Sequence, residues 1–317
     1  MSALRIGTRG SLLALWQART VASLLEARGV ATEIVTYKTS GDRLQDAPLT
    51  ETGTKGLFVK ELEDALLNGA IDLAVHSAKD MSVTLPHGLT VAAVLPREDP
   101  RDAIVLPRVR QGSGGQAGAA AAARLEDVQQ ALGDTPSFGT SSIRRSAQLR
   151  AFFPRGRFGA VRGNVDTRLR KLDAGEFDAI VLAVAGLKRL GHADRVTLAL
   201  DVEHCIPAPC QGIVAIETRM DPPAAVREID DPVAHVSFRA ERAVIAALGG
   251  GCQLPLGALA TPRGRALEMV AVVVSPDGAR RVRESAAGDA GNPDELGRQL
   301  AGTLERNGAV AILDEVR

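Results

Sequence analysis

Strand-like and helix-like segments alternate over the first two-thirds of this 317-residue chain. Short apolar runs predict buried strands, and the longer stretches between them carry apolar residues at helical spacing. This alternation favours a mostly parallel sheet covered by helices on both faces, because parallel strands need a crossover connection. The sequence therefore predicts an α/β fold, with strands at residues 4–7, 33–36, 71–75, 89–95, 137–139, 158–161, 178–183 and 212–217.

Two of the predicted helices have a definite expected orientation. Ser11 is suited to be an N-cap, and the helix that it starts runs to about Ala27. Its buried face is predicted to carry Leu12, Leu15, Trp16 and Leu24. A second helix, from Phe58 to Leu67, is predicted to expose the charged residues Lys60, Glu61, Glu63 and Asp64.

The pattern changes at two places along the chain. Residues 108–123 are rich in glycine and alanine, which is typical of a flexible surface insertion without chemistry. They follow Glu98 to Asp102, where the chain is expected to cross between two lobes of similar design. Beyond Asp230, a helix at 232–248, three strand-like runs and a helix at 293–306 indicate a separate α+β unit.

Composition argues against several classes of function. The formal net charge is zero and only 3% of residues are aromatic, so we expect no binding of nucleic acid. No window approaches eighteen uncharged apolar residues, and no signal-peptide pattern is present, so no membrane span or export is expected. Three irregularly spaced cysteines indicate a reducing, cytoplasmic setting, and the five histidines lack metal-ligand spacing, so no metal site is predicted.

Positive charge is concentrated between residues 139 and 195. This segment has twelve Lys and Arg residues against five Asp and Glu residues, in a protein whose charges balance to zero. Many are arginines in small-residue contexts, and a planar guanidinium matches carboxylate or phosphate oxygens two at a time. The segment therefore indicates a small polyanionic ligand, although solvated helix faces would give the same composition.

Polar residues follow four of the predicted strands, at the edge where open α/β sheets bind ligands. Arg9 and Ser11 follow the first strand, and residues 76–80 (His-Ser-Ala-Lys-Asp) follow the third. Residues 140–142 and 162–164 stand before helices, whose free backbone N–H groups bind carboxylates. We expect these loops to converge on one cleft between the two lobes.

Asp80 is the only carboxylate in the first two of these loops. One interpretation is a helix cap or a surface pair with Lys79. The other is a single anion in a cationic cleft, which would stabilise a developing cation and pass protons.

Cys252 follows three consecutive glycines, which allow a large group to approach the backbone closely. The alternative is a small buried hydrophobe, an interpretation that suits Cys205 and Cys210 better. Residues 53–58 lack the spacing of a phosphate loop and are predicted to form a mobile lid, with Lys55 and Phe58 facing the cleft.

Taken in order, these segments resemble the porphobilinogen deaminase family, whose members are also called hydroxymethylbilane synthases. The resemblance spans residues 4 to about 257 and rests on residues 5–18, 55–63, 76–80, 98–102, 139–145, 162–168, 182–190, 211–212 and 250–253. It implies two lobes like those of type II periplasmic binding proteins and a smaller α+β C-terminal domain. The implied domains are residues 1–99 with 211–228, residues 103–207, and residues 230–317.

The resemblance also implies a reaction and a cofactor. Four porphobilinogen molecules lose ammonia and are joined head to tail into hydroxymethylbilane, on a dipyrromethane linked through a thioether to Cys252. Asp80 is implied as the catalytic carboxylate. The implied cofactor contacts are Lys79, Asp80, Thr140, Ser142, Arg144 and Arg145, and the implied substrate contacts are Arg9, Ser11, Gln17, Arg162, Arg168 and Arg189.

The arginine excess has a physical explanation within this resemblance. Each pyrrole carries an acetate and a propionate, so the growing chain gains two negative charges per step. The family further implies a monomer whose product passes to uroporphyrinogen-III synthase. A non-catalytic anion-binding protein with the same two lobes is the alternative, because fold alone does not decide function. That alternative leaves the glycines before Cys252 and the third domain unexplained.

Overall fold

The computed structural model describes residues 3–38, 59–108, 124–249 and 254–316. The strands in these ranges are β1 (Leu4–Arg9), β2 (Thr32–Tyr37), β3 (Leu73–Ser77), β4 (Leu89–Val94), β5 (Asp102–Val105), β6 (Ser137–Gly139), β7 (Arg157–Gly159), β8 (Ala179–Ala183), β9 (Leu198–Ala199), β10 (Val214–Arg219), β11 (Leu256–Arg263), β12 (Ala266–Val274) and β13 (Arg281–Asp289). The helices are α1 (Leu12–Glu26), α2 (Lys60–Leu67), α3 (Leu125–Leu132), α4 (Ile143–Leu149), α5 (Val165–Asp173), α6 (Val184–Arg189), α7 (Ala224–Arg227), α8 (Pro232–Ala247), α9 (Pro293–Arg306) and α10 (Ala309–Leu313). Within these ranges, each helix is too short or too polar to traverse a lipid bilayer.

Two five-stranded sheets share one design. The strand order is β2-β1-β3-β10-β4 in the first sheet and β7-β6-β8-β5-β9 in the second. In each sheet one strand is antiparallel to both neighbours, β10 in the first and β5 in the second. These are the strands that the chain forms just after it crosses from the other lobe. The prediction of two mostly parallel α/β lobes of similar design is confirmed.

The third unit is an antiparallel sheet, β11-β12-β13, packed against α8 and α9. Its core includes Val244, Leu267 and Leu300, each at most 1% exposed. The helices approach closely because α9 carries Gly297, where a Cβ atom would lie 2.3 Å from the carbonyl oxygen of Ala240. This unit confirms the predicted α+β C-terminal domain.

Helix α1 begins as predicted but buries a different face. Ser11 is its N-cap, and its Oγ accepts a hydrogen bond from the Ala14 N–H at 3.3 Å. Leu12 and Trp16 are 55% and 37% exposed, so the predicted buried face is wrong for both, and Leu15 and Leu24 are only partly buried. Small side chains instead allow close contact with the sheet, and the buried face consists of Gln17, Ala18, Val21, Ala22 and Leu25.

The prediction that helix α2 exposes all four of its charged residues is wrong. Lys60 and Asp64 are exposed as expected, but Glu61 is half-buried and Glu63 is buried. Burial, together with the negative charge of Glu217, raises the pKa of Glu63 from 4.5 to about 7. The prediction that this charged residue is exposed was wrong, because a carboxyl group that keeps its proton can be buried in an apolar interface.

Replacing Glu63 with Gln is expected to stabilise the protein above neutral pH. The folded state keeps the Glu63 proton to about pH 7, whereas the ordinary pKa is 4.5, so the free energy of unfolding falls as the pH rises through this interval. Glu63→Gln avoids this loss and should exceed the wild type by about 3 kcal/mol near pH 8, and approach it near pH 4.5. Urea unfolding at both pH values measures the difference.

The matched control for this measurement is Glu126→Gln, which makes the same substitution at an exposed position on helix α3. It should change the free energy of unfolding by less than about 0.5 kcal/mol at either pH. A Glu63→Gln effect of equal size at both pH values would contradict the explanation.

Candidate functional site

Asp80 lies in a short 3-10 turn, Ala78–Asp80, that follows β3, and it is exposed. On one side of the turn, the Ala78 N–H donates to the carbonyl oxygen of Ile213 at 3.0 Å. On the other side, Arg242 of α8 donates to the carbonyl oxygens of Ser82 and Val83 at 2.8 and 2.6 Å. Backbone contacts therefore hold the turn while the carboxylate faces solvent.

A cavity of about 80 Å³ lies between the start of α1 and the end of β3. The amide Nε2 of Gln17 donates to Ser77 Oγ at 2.9 Å and joins the two elements. Four predicted site residues, Arg9, Ser11, Gln17 and Asp80, therefore line one cavity. The sequence predicts that loops of both lobes converge on one cleft, and this cavity accounts only for those of the first lobe. The lining residues are Arg9, Ser11, Leu13, Ala14, Gln17, Val59, Val75, His76, Ser77 and Asp80.

Thr140 and Ser142 lie between β6 and the start of α4. Ser142 is the N-cap of α4, and its Oγ accepts from the Arg145 N–H at 3.4 Å. The Ser142 N–H donates to Thr140 Oγ1 at 3.2 Å. These local bonds place Arg144 and Arg145 in the first turn of the helix, at the carboxyl edge of the second sheet.

Arg144 and Arg145 form a buried ion-pair network with Asp102. Arg144 Nη1 lies 2.7 Å from Asp102 Oδ2, and Arg145 Nη2 lies 2.7 Å from Asp102 Oδ1. Burial would raise the pKa of Asp102, but the two guanidinium groups hold it well below its usual range. Both arginines also donate to backbone carbonyl oxygens, Arg144 to Ile206 at 2.8 Å and Arg145 to Val181 at 3.0 Å.

Gln211 connects this network to Lys79 of the first lobe. Its Oε1 accepts from Lys79 Nζ at 3.2 Å and from Arg145 Nη2 at 3.5 Å, while its Nε2 donates to Asp102 Oδ1 at 2.9 Å. Burial lowers the pKa of Lys79 to about 8; Asp80 counteracts this effect and Arg145 adds to it. Cations of both lobes and Asp80 thus lie within electrostatic range of one another.

The remaining predicted arginines belong to the second lobe. Burial and then Arg145 lower the pKa of Arg168 to about 10, whereas Asp80 raises it, so Arg168 lies near both groups. Arg189 donates to the carbonyl oxygen of Gly212 at 2.7 Å, and its guanidinium carbon lies 5.5 Å from the centre of the Trp16 ring. Arg162 is half-buried in the segment after β7.

Three predicted site residues, Cys252, Lys55 and Phe58, lie outside the described residues. The described chain stops at Gly249, just after α8, and resumes at Leu254. Most of the glycine- and alanine-rich insertion also lies outside the described ranges. Cys205 and Cys210 are buried free thiols, which confirms their interpretation as small hydrophobes.

Asp102 and Gln211 are central to the network, yet sequence reasoning did not single them out as site residues. A signal for Asp102 exists, because a carboxylate begins the fully buried strand Asp-Ala-Ile-Val and a buried charge needs a partner. Gln211 belongs to a segment that carries the family resemblance, but its residue type gave no physical signal, because its four side-chain partners come from distant parts of the chain.

The cationic side chains that cluster here could together bind a ligand with several carboxylates. Burial lowers the pKa of both Lys79 and Arg168; Arg145 lowers both further, and Arg144 adds to the effect on Lys79. A cluster of partly desolvated cations is stabilised by an anionic ligand, and arginine pairs well with carboxylates. The acetate and propionate groups of a dipyrromethane have the chemistry that this cluster would bind.

Fold and site together define a two-lobed protein with a third α+β domain, which presents clustered cations beside one exposed carboxylate. Residues 4–227 match the family model "Porphobilinogen deaminase, dipyromethane cofactor binding domain", and residues 236–306 match "Porphobilinogen deaminase, C-terminal domain". The chain belongs to the porphobilinogen deaminase family.

Similar proteins span nearly the whole chain. The porphobilinogen deaminase of Pelobacter propionicus is 44% identical over 318 residues, which cover 99% of this chain and 97% of that protein. The porphobilinogen deaminase of Acidithiobacillus ferrooxidans is 44% identical over 320 residues, covering 99% and 98%. Among solved structures, a periplasmic binding protein from Brucella ovis with glutathione bound is 15% identical, with a TM-score of 0.40 over 77% of this chain and 68% of that chain. Similarity at that level has no bearing on function.

Proposed function

We propose that Asp80 is the catalytic carboxylate of this chain and that the surrounding cations bind the acidic substrate and product. The reaction of the family is the deamination and head-to-tail joining of four porphobilinogen molecules into hydroxymethylbilane, in tetrapyrrole biosynthesis. The observation that carries the assignment is the exposed position of Asp80 within electrostatic range of Lys79 and Arg168. Matches to both the cofactor domain and the C-terminal domain do not favour the non-catalytic alternative.

The dipyrromethane would be attached to Cys252 and held through its carboxylates. When bound, it supplies the pyrrole carbon to which the first porphobilinogen is added. Lys79, Thr140, Ser142 and Arg145 would contact its acetate and propionate groups. Arg144 would join them; like Arg145, it is already held by Asp102 and by a backbone carbonyl, so both guanidinium groups are positioned before the ligand binds.

The incoming substrate and the lengthening chain would be bound from both lobes. Arg9, Ser11 and Gln17 line the cavity beside Asp80, which supports their assignment to the incoming porphobilinogen. Arg162, Arg168 and Arg189 would bind the carboxylates that are added at each step. Lys55 and Phe58 are assigned to a lid over the cleft.

Asp80 would have two roles, to stabilise a positive charge on the substrate and to accept a proton. Its carboxylate would accept hydrogen bonds from pyrrole N–H groups and stabilise the positive charge that develops on porphobilinogen as ammonia leaves. It would then take the proton that the attacking ring carbon loses when the new carbon–carbon bond forms. One ammonia and one proton leave per condensation, which together make one ammonium ion.

We place the domain boundaries at residues 1–99 with 211–228, 103–207 and 230–317. The sheets support these limits, because the strands of each sheet fall within one range except for Asp102, the first residue of β5. The chain is proposed to be a cytoplasmic monomer that passes its product to uroporphyrinogen-III synthase. The free thiols Cys205 and Cys210 are compatible with a reducing compartment.

The intact mass of the purified protein tests the cofactor assignment. We expect an excess over the chain mass equal to one dipyrromethane, and its loss in Cys252→Ser because serine offers no thiol. Cys205→Ser is the matched control, since burial raises the pKa of Cys205 to about 12 and leaves it unreactive. Retention of the excess in Cys252→Ser, or an active protein without any excess, would refute the attachment site.

A further inference from the structure

Three buried ionisable side chains form a cluster, and one of them, His76, lines the cavity beside Asp80. His76, near the end of β3, is 6% exposed, and its Nε2 lies 3.0 Å from Oε2 of Glu217, which is fully buried on β10. Glu63 of α2 is 7% exposed and lies within electrostatic range of both. The Oε1 atoms of Glu63 and Glu217 are buried without a hydrogen-bond partner among the described residues. The imidazole of His76 is therefore hydrogen-bonded to one of the two buried carboxyl groups and acts electrostatically on the other.

Burying these three ionisable side chains contributes little to the stability of the fold. Burial removes water from each charged group, and well-packed apolar side chains of similar volume stabilise a protein as well or better. The unpartnered carboxyl oxygens add to the cost. Ionisable groups in such surroundings, beside a cleft, are concentrated at functional sites.

The cluster is directly connected to the turn that carries Asp80. His76 lines the same cavity as Arg9 and Asp80. The next residue, Ser77, accepts the hydrogen bond from Gln17 and precedes the Ala78–Asp80 turn. The backbone ladder already pairs His76 with Ala215 of β10, so the bond to Glu217 sets the orientation of the imidazole in the cavity wall, next to the residue that precedes the turn.

We propose that His76 is a positioning residue for Asp80, that Glu217 holds the hydrogen on its imidazole, and that Glu63 modulates this bond through its charge. The inference rests on the proposed catalytic role of Asp80. Nε2 of His76 lies 3.0 Å from Oε2 of Glu217, and a carboxylate oxygen accepts hydrogen bonds, so we assign the hydrogen to Nε2 in this pair. Loss of the Glu63 proton would place a second negative charge beside Glu217 and change the bond that fixes His76.

The charged groups that act on the cluster come from several elements. On α2, Asp64 adds negative potential at Glu63, and on α8, Arg242 interacts with Glu217. Arg9 and Asp80 line the same cavity as His76. Burial and Glu217 raise the pKa of Glu63 to about 7 despite the opposing effect of His76. Glu63 is therefore expected to lose its proton near neutral pH.

The test compares His76→Gln and Glu63→Gln with His87→Gln, which makes the same histidine substitution at an exposed position after the Asp80 turn. Porphobilinogen turnover is measured from about pH 6 to pH 9, with intact mass confirming equal cofactor content. The wild type and His87→Gln should share an ionisation near pH 7 in kcat, and Glu63→Gln should lose it or move it by at least about one pH unit. His76→Gln should lose it and lower kcat about tenfold or more, with little change in KM.

The proposal is overturned if Glu63→Gln and His76→Gln both keep the wild-type pH profile. It is also overturned if His76→Gln lowers kcat and thermal stability while its pH profile stays unchanged, since a purely structural residue would do that. If His76→Gln does not fold, the Glu63→Gln profile decides the question alone. Asp80 is intact in all three variants, so the outcome is distinct from that of Asp80→Asn, which tests the catalytic assignment itself.

Discussion

Asp80→Asn should give a folded, cofactor-bearing protein whose kcat is about 10²–10⁴-fold below that of the wild type. Asparagine keeps the shape of the side chain but has no negative charge and cannot take a proton. The cost to folding should be small, because the carboxylate is exposed and backbone contacts from Ile213 and Arg242 hold its turn. Initial rates with porphobilinogen, intact mass and far-UV circular dichroism measure the three expectations.

Asp80→Glu is the companion variant. It retains a carboxylate on a longer side chain, so it should keep part of the turnover that Asp80→Asn loses. Turnover near the wild-type level in Asp80→Asn would refute the catalytic role. Loss of the dipyrromethane mass excess in that variant would show instead that Asp80 acts in cofactor assembly.

The two lobes could be predicted from the sequence because strand and helix periodicities are local properties. The run from Gly212 to Glu217 was correctly predicted as a buried strand, and the structure has β10 at Val214–Arg219. Its antiparallel direction was not predictable, because direction depends on how the crossing chain enters the sheet. The same holds for β5, so local patterns defined the elements and tertiary connections defined their orientation.

Residue size misled the interpretation of α1. Large apolar residues such as Leu12 and Trp16 suggested the buried face, whereas Ala18 and Ala22 pack against the first sheet. Trp16 instead lies near Arg189 of the second lobe. A helix between two lobes has two contact surfaces, and periodicity in one sequence does not distinguish them.

The site was predictable where it depends on strand ends. Arg9, Ser11 and Asp80 follow β1 and β3, and they meet at one cavity because both strands end at the same edge of the sheet. The arginine excess correctly indicated concentrated positive charge, but it could not show how each arginine is paired. Arg144 meets Asp102 across 42 residues of sequence, a contact that only the folded sheet creates.

Asp102 is therefore the counter-ion that stabilises the two adjacent buried arginines, Arg144 and Arg145. Its oxygens accept from Arg144 Nη1, Arg145 Nε and Gln211 Nε2 at 2.7, 2.9 and 2.9 Å. Without this carboxylate, two like charges would be buried side by side. Clustered cations can bind a polyanion only if the protein also stabilises them before the ligand arrives.

Asp102→Asn should accordingly lower the free energy of unfolding by about 3–5 kcal/mol, since breaking a buried ion pair leaves uncompensated charge. The pKa of Asp102 is held well below its ordinary 3.8, so its stabilising effect is complete above about pH 4 and is lost only as the pH falls through the lower, folded-state value. The loss of unfolding free energy should thus be equal at about pH 5 and pH 8 in urea unfolding.

Asp201→Asn is the control, because the Asp201 carboxylate is 72% exposed beside Arg101, and it should lower the free energy of unfolding by less than about 1 kcal/mol. An Asp102→Asn protein as stable as this control would show that the two arginines do not need their shared counter-ion.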